Sequence, residues 1–126
     1  MKKLTILLFS ILISFNSYGE WTKVLERSSS TLYFDINAVK KHGDTIYWWS
    51  MLDLAKPEDG TGWLSSTAYH QGDCAMHRYK FLSINTYTKP MAKGPHETHD
   101  VPSKWQYPEP MTTKHTALEA LCPERP

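Results

Sequence analysis

The 126-residue chain is poor in cysteine, with only Cys74 and Cys122. Two thiols cannot build a four-cysteine zinc site or a disulfide-dense scaffold. They stand far apart with no C-x-x-C between them, which argues against a redox-active dithiol. An excess of charge of one sign is also missing. Lys plus Arg number 14 and Asp plus Glu 13, so the formal charge is +1 and there is no electrostatic footprint for nucleic acid. There is no G-x-S-x-G, and no cysteine is left over as a nucleophile once a disulfide forms. The chain is too short for two domains. What is present is 40% apolar residues and 13% aromatics, enough for a core and too many for a disordered tail.

The N-terminus reads as an address. Lys2 and Lys3 form a basic start, and residues 4–15 are almost all apolar. Ser17-Tyr18-Gly19 then offers small residues at the two positions that define a cleavage site. Residues 1–19 therefore read as a secretory signal peptide, cut after Gly19, and residues 20–126 as the mature domain. The apolar run is shorter than the ~20 residues of a transmembrane helix, and no transmembrane span is expected in the mature chain. No cysteine follows the cut, so no lipid attachment point is seen. In an oxidising compartment Cys74 and Cys122 are expected to form one disulfide.

The mature chain reads as a succession of strands closed by a helix. Residues 21–26 and 31–35 are short strand candidates. Asp35 is placed to cap a helical turn over residues 36–40. Residues 45–54 carry Ile46, Trp48, Leu52 and Leu54 on one face and Tyr47, Trp49 and Met51 on the other, the pattern of a central strand covered on both sides. Residues 63–71 and 76–88 are further strands, with a turn at Gly72-Asp73. Residues 89–110 hold five prolines and can form neither a continuous helix nor a central strand, though an extended piece over residues 105–107 is allowed. Thr112 or Thr113 caps a last helix whose stripe is Ala117, Leu118 and Leu121. Cys122 ends it, so a bridge to Cys74 staples the helix to the sheet. The fold class is α+β: an antiparallel sheet of about five or six strands with a C-terminal helix tethered by one disulfide.

The order of these features resembles the surface-adhesin protein E family of small exported Gram-negative proteins. The features are Trp21, Tyr33-Phe34-Asp35, His42-Gly43-Asp44, a Trp-centred strand from Ile46, Ser66 and Tyr69 before Cys74, Arg78-Tyr79, Trp105-Gln106-Tyr107-Pro108 and Leu121-Cys122. The resemblance spans residues 21–122. It implies an antiparallel sheet with a disulfide-held C-terminal helix, and an adhesin-like, non-catalytic role in binding host or envelope proteins. The missing lipid-attachment cysteine leaves the protein exported, either periplasmic or secreted to the cell surface.

The residues offer candidate sites of their own. His96-Glu97-Thr98-His99-Asp100 gathers two imidazoles and two carboxylates, so His96 and His99 are candidate metal ligands. A periplasmic accessory protein holding a small ligand or metal through this loop is the alternative function. It is not H-E-x-x-H, and its neighbouring prolines forbid the helix that motif needs. No cofactor and no catalytic residue is expected. Trp48, Trp49, Trp63, Tyr47 and Tyr69 exceed what one small core usually buries. They suggest a sheet face turned to a protein partner or to a second copy in a homodimer.

Overall fold

Strand formation follows the alternation of bulky residues. In the computed structural model, which describes residues 20–122, seven strands form one antiparallel sheet. They are β1 (Thr22–Glu26), β2 (Ser30–Phe34), β3 (Lys40–His42), β4 (Thr45–Leu54), β5 (Ser65–Asp73), β6 (Arg78–Lys89) and β7 (Lys93–His99). The α-helix among the described residues is α1 (Thr113–Leu121). The signal peptide expected over residues 1–19 lies outside the described residues.

The sheet order is β1-β2-β4-β5-β6-β7, and β3 pairs with β4 off this path. β2 and β3 share one edge of β4: β2 lies along residues 50–54 and β3 along residues 45–47. A 3-10 turn over Ile36–Ala38 carries the chain from one to the other. The Asp35 carboxylate does not cap this turn. The Asp35 backbone carbonyl accepts from the Ala38 N–H at 3.1 Å instead, which a three-residue turn can satisfy without a side chain.

The turn between β5 and β6 comes later than expected, over residues 74–77 rather than at Gly72-Asp73. Asp73 explains the shift. Its carboxylate accepts from the N–H groups of Ala75 (3.0 Å) and Met76 (3.2 Å) and from Arg78 Nε (2.9 Å), so the turn is organised after it. The proline-rich stretch holds the edge strand β7, with Pro95 inside it, as proline permits only at an edge. Gln106 then bridges Tyr79 through reciprocal backbone bonds of 3.0 and 2.7 Å, the extended piece expected there. At the opposite edge the β1–β2 register slips between Lys23 and Leu25.

α1 begins at Thr112, whose hydroxyl accepts from the His115 N–H at 3.2 Å. Its stripe of Ala117, Leu118 and Leu121 packs on one face of the sheet, against a core that includes Leu32, Phe34, Ile46, Trp48 and Tyr79. Gly72 lets the helix approach. A Cβ built there would lie 2.8 Å from Ile46 Cγ1, 2.9 Å from Trp48 Cζ3 and 3.0 Å from Leu118 Cδ1. The Cys74–Cys122 disulfide (Cα–Cα 5.7 Å) closes this side by joining the β5–β6 turn to the end of α1.

The other face is covered only in part. A 3-10 turn over Pro90–Ala92 folds across one end of it, packing on β4, β5 and β6. Met91 N–H donates to Asp53 Oδ1 (2.8 Å) and Ala92 N–H to Ser65 Oγ (2.9 Å). Those bonds hold Met91 and Ala92 at φ 58° and 56°, a left-handed conformation costing roughly 1 kcal/mol or more per non-glycine residue. Met51, on this face, is fully buried.

Candidate functional site

Register defines what the partly covered face presents. Tyr33 pairs with Met51, Trp49 with Tyr69, and Tyr47 with Gln71 and Lys40, so their side chains point away from α1. Beyond the Pro90–Ala92 turn the face carries Tyr33, Tyr47, Trp49 and Tyr69, all half-buried. Tyr69 stands 4.8 Å from Trp49 and 6.1 Å from Tyr47 between ring centroids, a continuous aromatic ladder across β4 and β5. Cations border it. Lys40 pairs beside Tyr47, and Lys80 beside Gln71. Arg78 and Lys80 lie over the Trp105 ring at 4.2 and 4.7 Å. The face thus offers apolar aromatic area of the kind enriched at protein contacts, flanked by Lys40 and Lys80 and by Arg78, which is paired with Asp73 at 2.9 Å.

The five aromatics singled out in the sequence therefore divide. Tyr47, Trp49 and Tyr69 form the ladder. Trp48 is buried under α1 and stacks on His70 at 4.7 Å with the rings nearly parallel (2°). Trp63 lines a groove of about 450 Å³ beside the start of α1, together with Leu32, Leu52, Phe81, Ile84 and Lys114.

Two basic groups sit beside that groove. His70 is packed among Trp48, Tyr79 and Phe81, and its pKa is pushed down to about 3 by burial and by the neighbouring Lys114 charge. Lys114 lies 3.5 Å from His70 Nε2 and 4.9 Å from the Phe81 ring centre. Burial lowers its pKa to about 8, and it forms no ion pair with a carboxylate among the described residues. The ammonium is stabilised instead by aromatic faces and a neutral imidazole.

His96 and His99 both line a cavity of about 260 Å³ beside Trp63 and Thr86, but they do not converge on a common ligand position. They lie on β7, three residues apart, and so point to opposite sides of the strand. His96 pairs with Tyr87 and packs on its ring at 5.4 Å. His99 shares a hydrogen bond with Thr86 Oγ1 at 2.8 Å and lies 3.8 Å from Glu97. A different trio converges: one ligand atom each of His77, His115 and Glu119 lies within 4.8 Å of the others. The sequence did contain a signal for it. His115 and Glu119 are four apart on the expected helix, and the expected disulfide carries that helix to the turn holding His77.

The meander-like antiparallel sheet, the single helix bridged to the β5–β6 turn and the uncovered aromatic face define a small disulfide-stapled α+β module. The chain belongs to the surface-adhesin protein E family, which matches residues 21–123. Solved structures of Haemophilus influenzae protein E share its fold. One crystal form superposes with a TM-score of 0.61 at 16% identity, covering 80% of this chain and 95% of that one. A second structure gives 0.57 at 14% identity, covering 81% and 92%. A third, from a non-typeable strain, gives 0.53 at 13% identity, covering 79% and 82%. No curated protein sequence matches the chain at a significant level.

Proposed function

We propose that this chain is a non-catalytic, adhesin-like binding module of the cell envelope that recognises a protein partner through the open aromatic face. The observation that carries the reading is the Tyr47–Tyr69–Trp49 ladder on a sheet face that α1 does not cover, with Lys40, Lys80 and Arg78 beside it. Its membership of a surface-adhesin family supports the same reading. Aromatic rings held by a sheet lose little entropy on docking, and basic margins steer acidic partners. Export by the residue 1–19 leader, with cleavage after Gly19, belongs to this proposal. The alternative, a small ligand held by the His96/His99 loop, draws on the cavity of about 260 Å³ that both histidines line with Trp63, but His96 and His99 point to opposite sides of β7, so the aromatic face is preferred.

The test uses the untagged mature chain, residues 20–126, against immobilised matrix and serum proteins. Trp49→Ala/Tyr69→Ala is expected to weaken binding at least tenfold while leaving the far-UV spectrum unchanged. Protease digestion of the full-length protein on intact cells is expected to remove it. Full protection inside the periplasm would refute the adhesin role. Binding untouched by the double substitution would refute the assignment to this face.

A further inference from the structure

The cluster of His77, His115 and Glu119 lies at the start of β6, whereas the His96–His99 segment singled out in the sequence pairs with its other half, and the aromatic face proposed above does not include it. Its construction starts with local geometry. His115 and Glu119 are one helical turn apart on α1, so their side chains share a face. His115 Nδ1 and Glu119 Oε1 are already 2.9 Å apart. His77 is the last residue of the β5–β6 turn and adopts φ 53°. Three bonds to the Asp73 carboxylate shape that turn, and the Cys74 N–H donates to the Asp44 carbonyl at 2.8 Å. The disulfide then holds the turn against the end of α1. As a result the His77 and His115 rings meet at 4.8 Å between centroids.

A helical His–Glu pair alone is common and needs no ion. The third residue is what changes the reading. His77 makes no hydrogen bond among the described residues, yet its ring is delivered to the pair by a braced turn from another element. Two imidazoles and one carboxylate, within 4.8 Å of one another and partly open to solvent, match a known class of zinc ligand set. Ligands around a tetrahedral zinc stand about 3.4 Å apart, so closing His77 in by up to roughly 1.4 Å and opening the His115–Glu119 pair by about 0.5 Å gives the arrangement. A single carboxylate is too few oxygens for calcium, and imidazole selects the borderline transition ions.

We propose that His77, His115 and Glu119 bind one divalent transition-metal ion of the zinc class, with water in the remaining position. The ion clips the β5–β6 turn to the His115–Glu119 side of α1, a second fastening besides the disulfide and one that depends on metal supply. Because the imidazoles must be unprotonated to ligate, binding releases protons and weakens in acid.

Isothermal titration of chelator-stripped, untagged mature protein with Zn²⁺ tests this. The expected result is one site per chain at micromolar protein, and a thermal midpoint raised by roughly 10 °C at a hundredfold excess over Kd. His77→Ala and His115→Ala should each weaken binding at least tenfold, and Glu119→Gln less. His96→Ala/His99→Ala should leave it unchanged. If an alanine variant folds poorly, the visible spectrum of the Co²⁺-loaded wild-type protein reports the geometry directly, with the intense bands of a four- or five-coordinate site expected. No heat at 100-fold excess Zn²⁺ would overturn the proposal. So would a weak octahedral Co²⁺ spectrum, or loss of the site in the His96/His99 variant alone.

Discussion

Acid should unfold this protein in part through one histidine. His70 is 1% exposed, and its pKa in the folded chain is about 3 against an ordinary 6.5. Between those values the unfolded chain binds a proton that the folded chain refuses. Stability is therefore full above pH 6.5 and is lost as the pH falls toward 3. Each unit in that window costs about 1.4 kcal/mol, so lowering the pH from 6.5 to 4 removes about 3 kcal/mol through this residue. For a domain of this size that is a large share of the total. The groups facing the imidazole allow no relief: Trp48, Tyr79 and Phe81 are aromatic, and Lys114 of α1 is a like charge. Carboxylates titrate in the same range. The Asp73 carboxyl is held low, in spite of its desolvation, by the Met76 N–H and by Arg78. The comparison must therefore be differential. Urea denaturation followed by tryptophan fluorescence at pH 6.5, 5 and 4 would be run on wild type and His70→Phe. The variant should lose about 3 kcal/mol less than wild type over this range. Stability curves that stay parallel within about 0.5 kcal/mol would refute the reasoning, as would a ring-proton NMR titration of His70 with a midpoint near 6.

Two further perturbations act on the helix–sheet contact. Gly72→Ala would normally be neutral or helpful in a strand. Here the new methyl meets three side chains at 2.8 to 3.0 Å, so overpacking wins and costs about 1–3 kcal/mol. A thermal melt should show a midpoint lowered by at least 4 °C, and an unchanged or higher midpoint would show that α1 sits farther from the sheet. Cys122→Ser opens a loop with a sequence separation of 48 residues, worth about 4 kcal/mol by the chain-entropy estimate. Its melting point in oxidising buffer should fall well below wild type while the far-UV strand signal persists at low temperature. Equal melting points would show that packing alone holds the helix.

The backbone frame was legible because its signals are local. Alternation in residues 45–54, a Thr cap before an apolar stripe and two cysteines behind a leader-like N-terminus each point to one outcome, and the structure carries all three outcomes. The Gly72-Asp73 turn was misplaced because the bonds that decide it come from the Asp73 side chain to residues further on. β7 escaped notice because its strand character comes from pairing with β6, in a stretch whose own composition argues against a strand. The candidate site divides in the same way. Which aromatics of β4 face α1 follows from period two. The convergence of His77 with His115 and Glu119 spans elements far apart in sequence, and only the disulfide hinted at it.

The two outer strands have a consequence for how copies of this protein meet. A sheet this wide is open at both sides, and each free rim is a place where a neighbouring chain could add a strand. β7 interrupts its free rim with Pro95 and sets Lys93 and Glu97 along it, while β1 breaks step between Lys23 and Leu25. Neither rim is a flat template for another chain. Strand-by-strand growth from these two rims is thereby disfavoured, and a homodimer of the kind considered from the sequence would instead meet face against face across the tyrosines and tryptophan of the partly covered side.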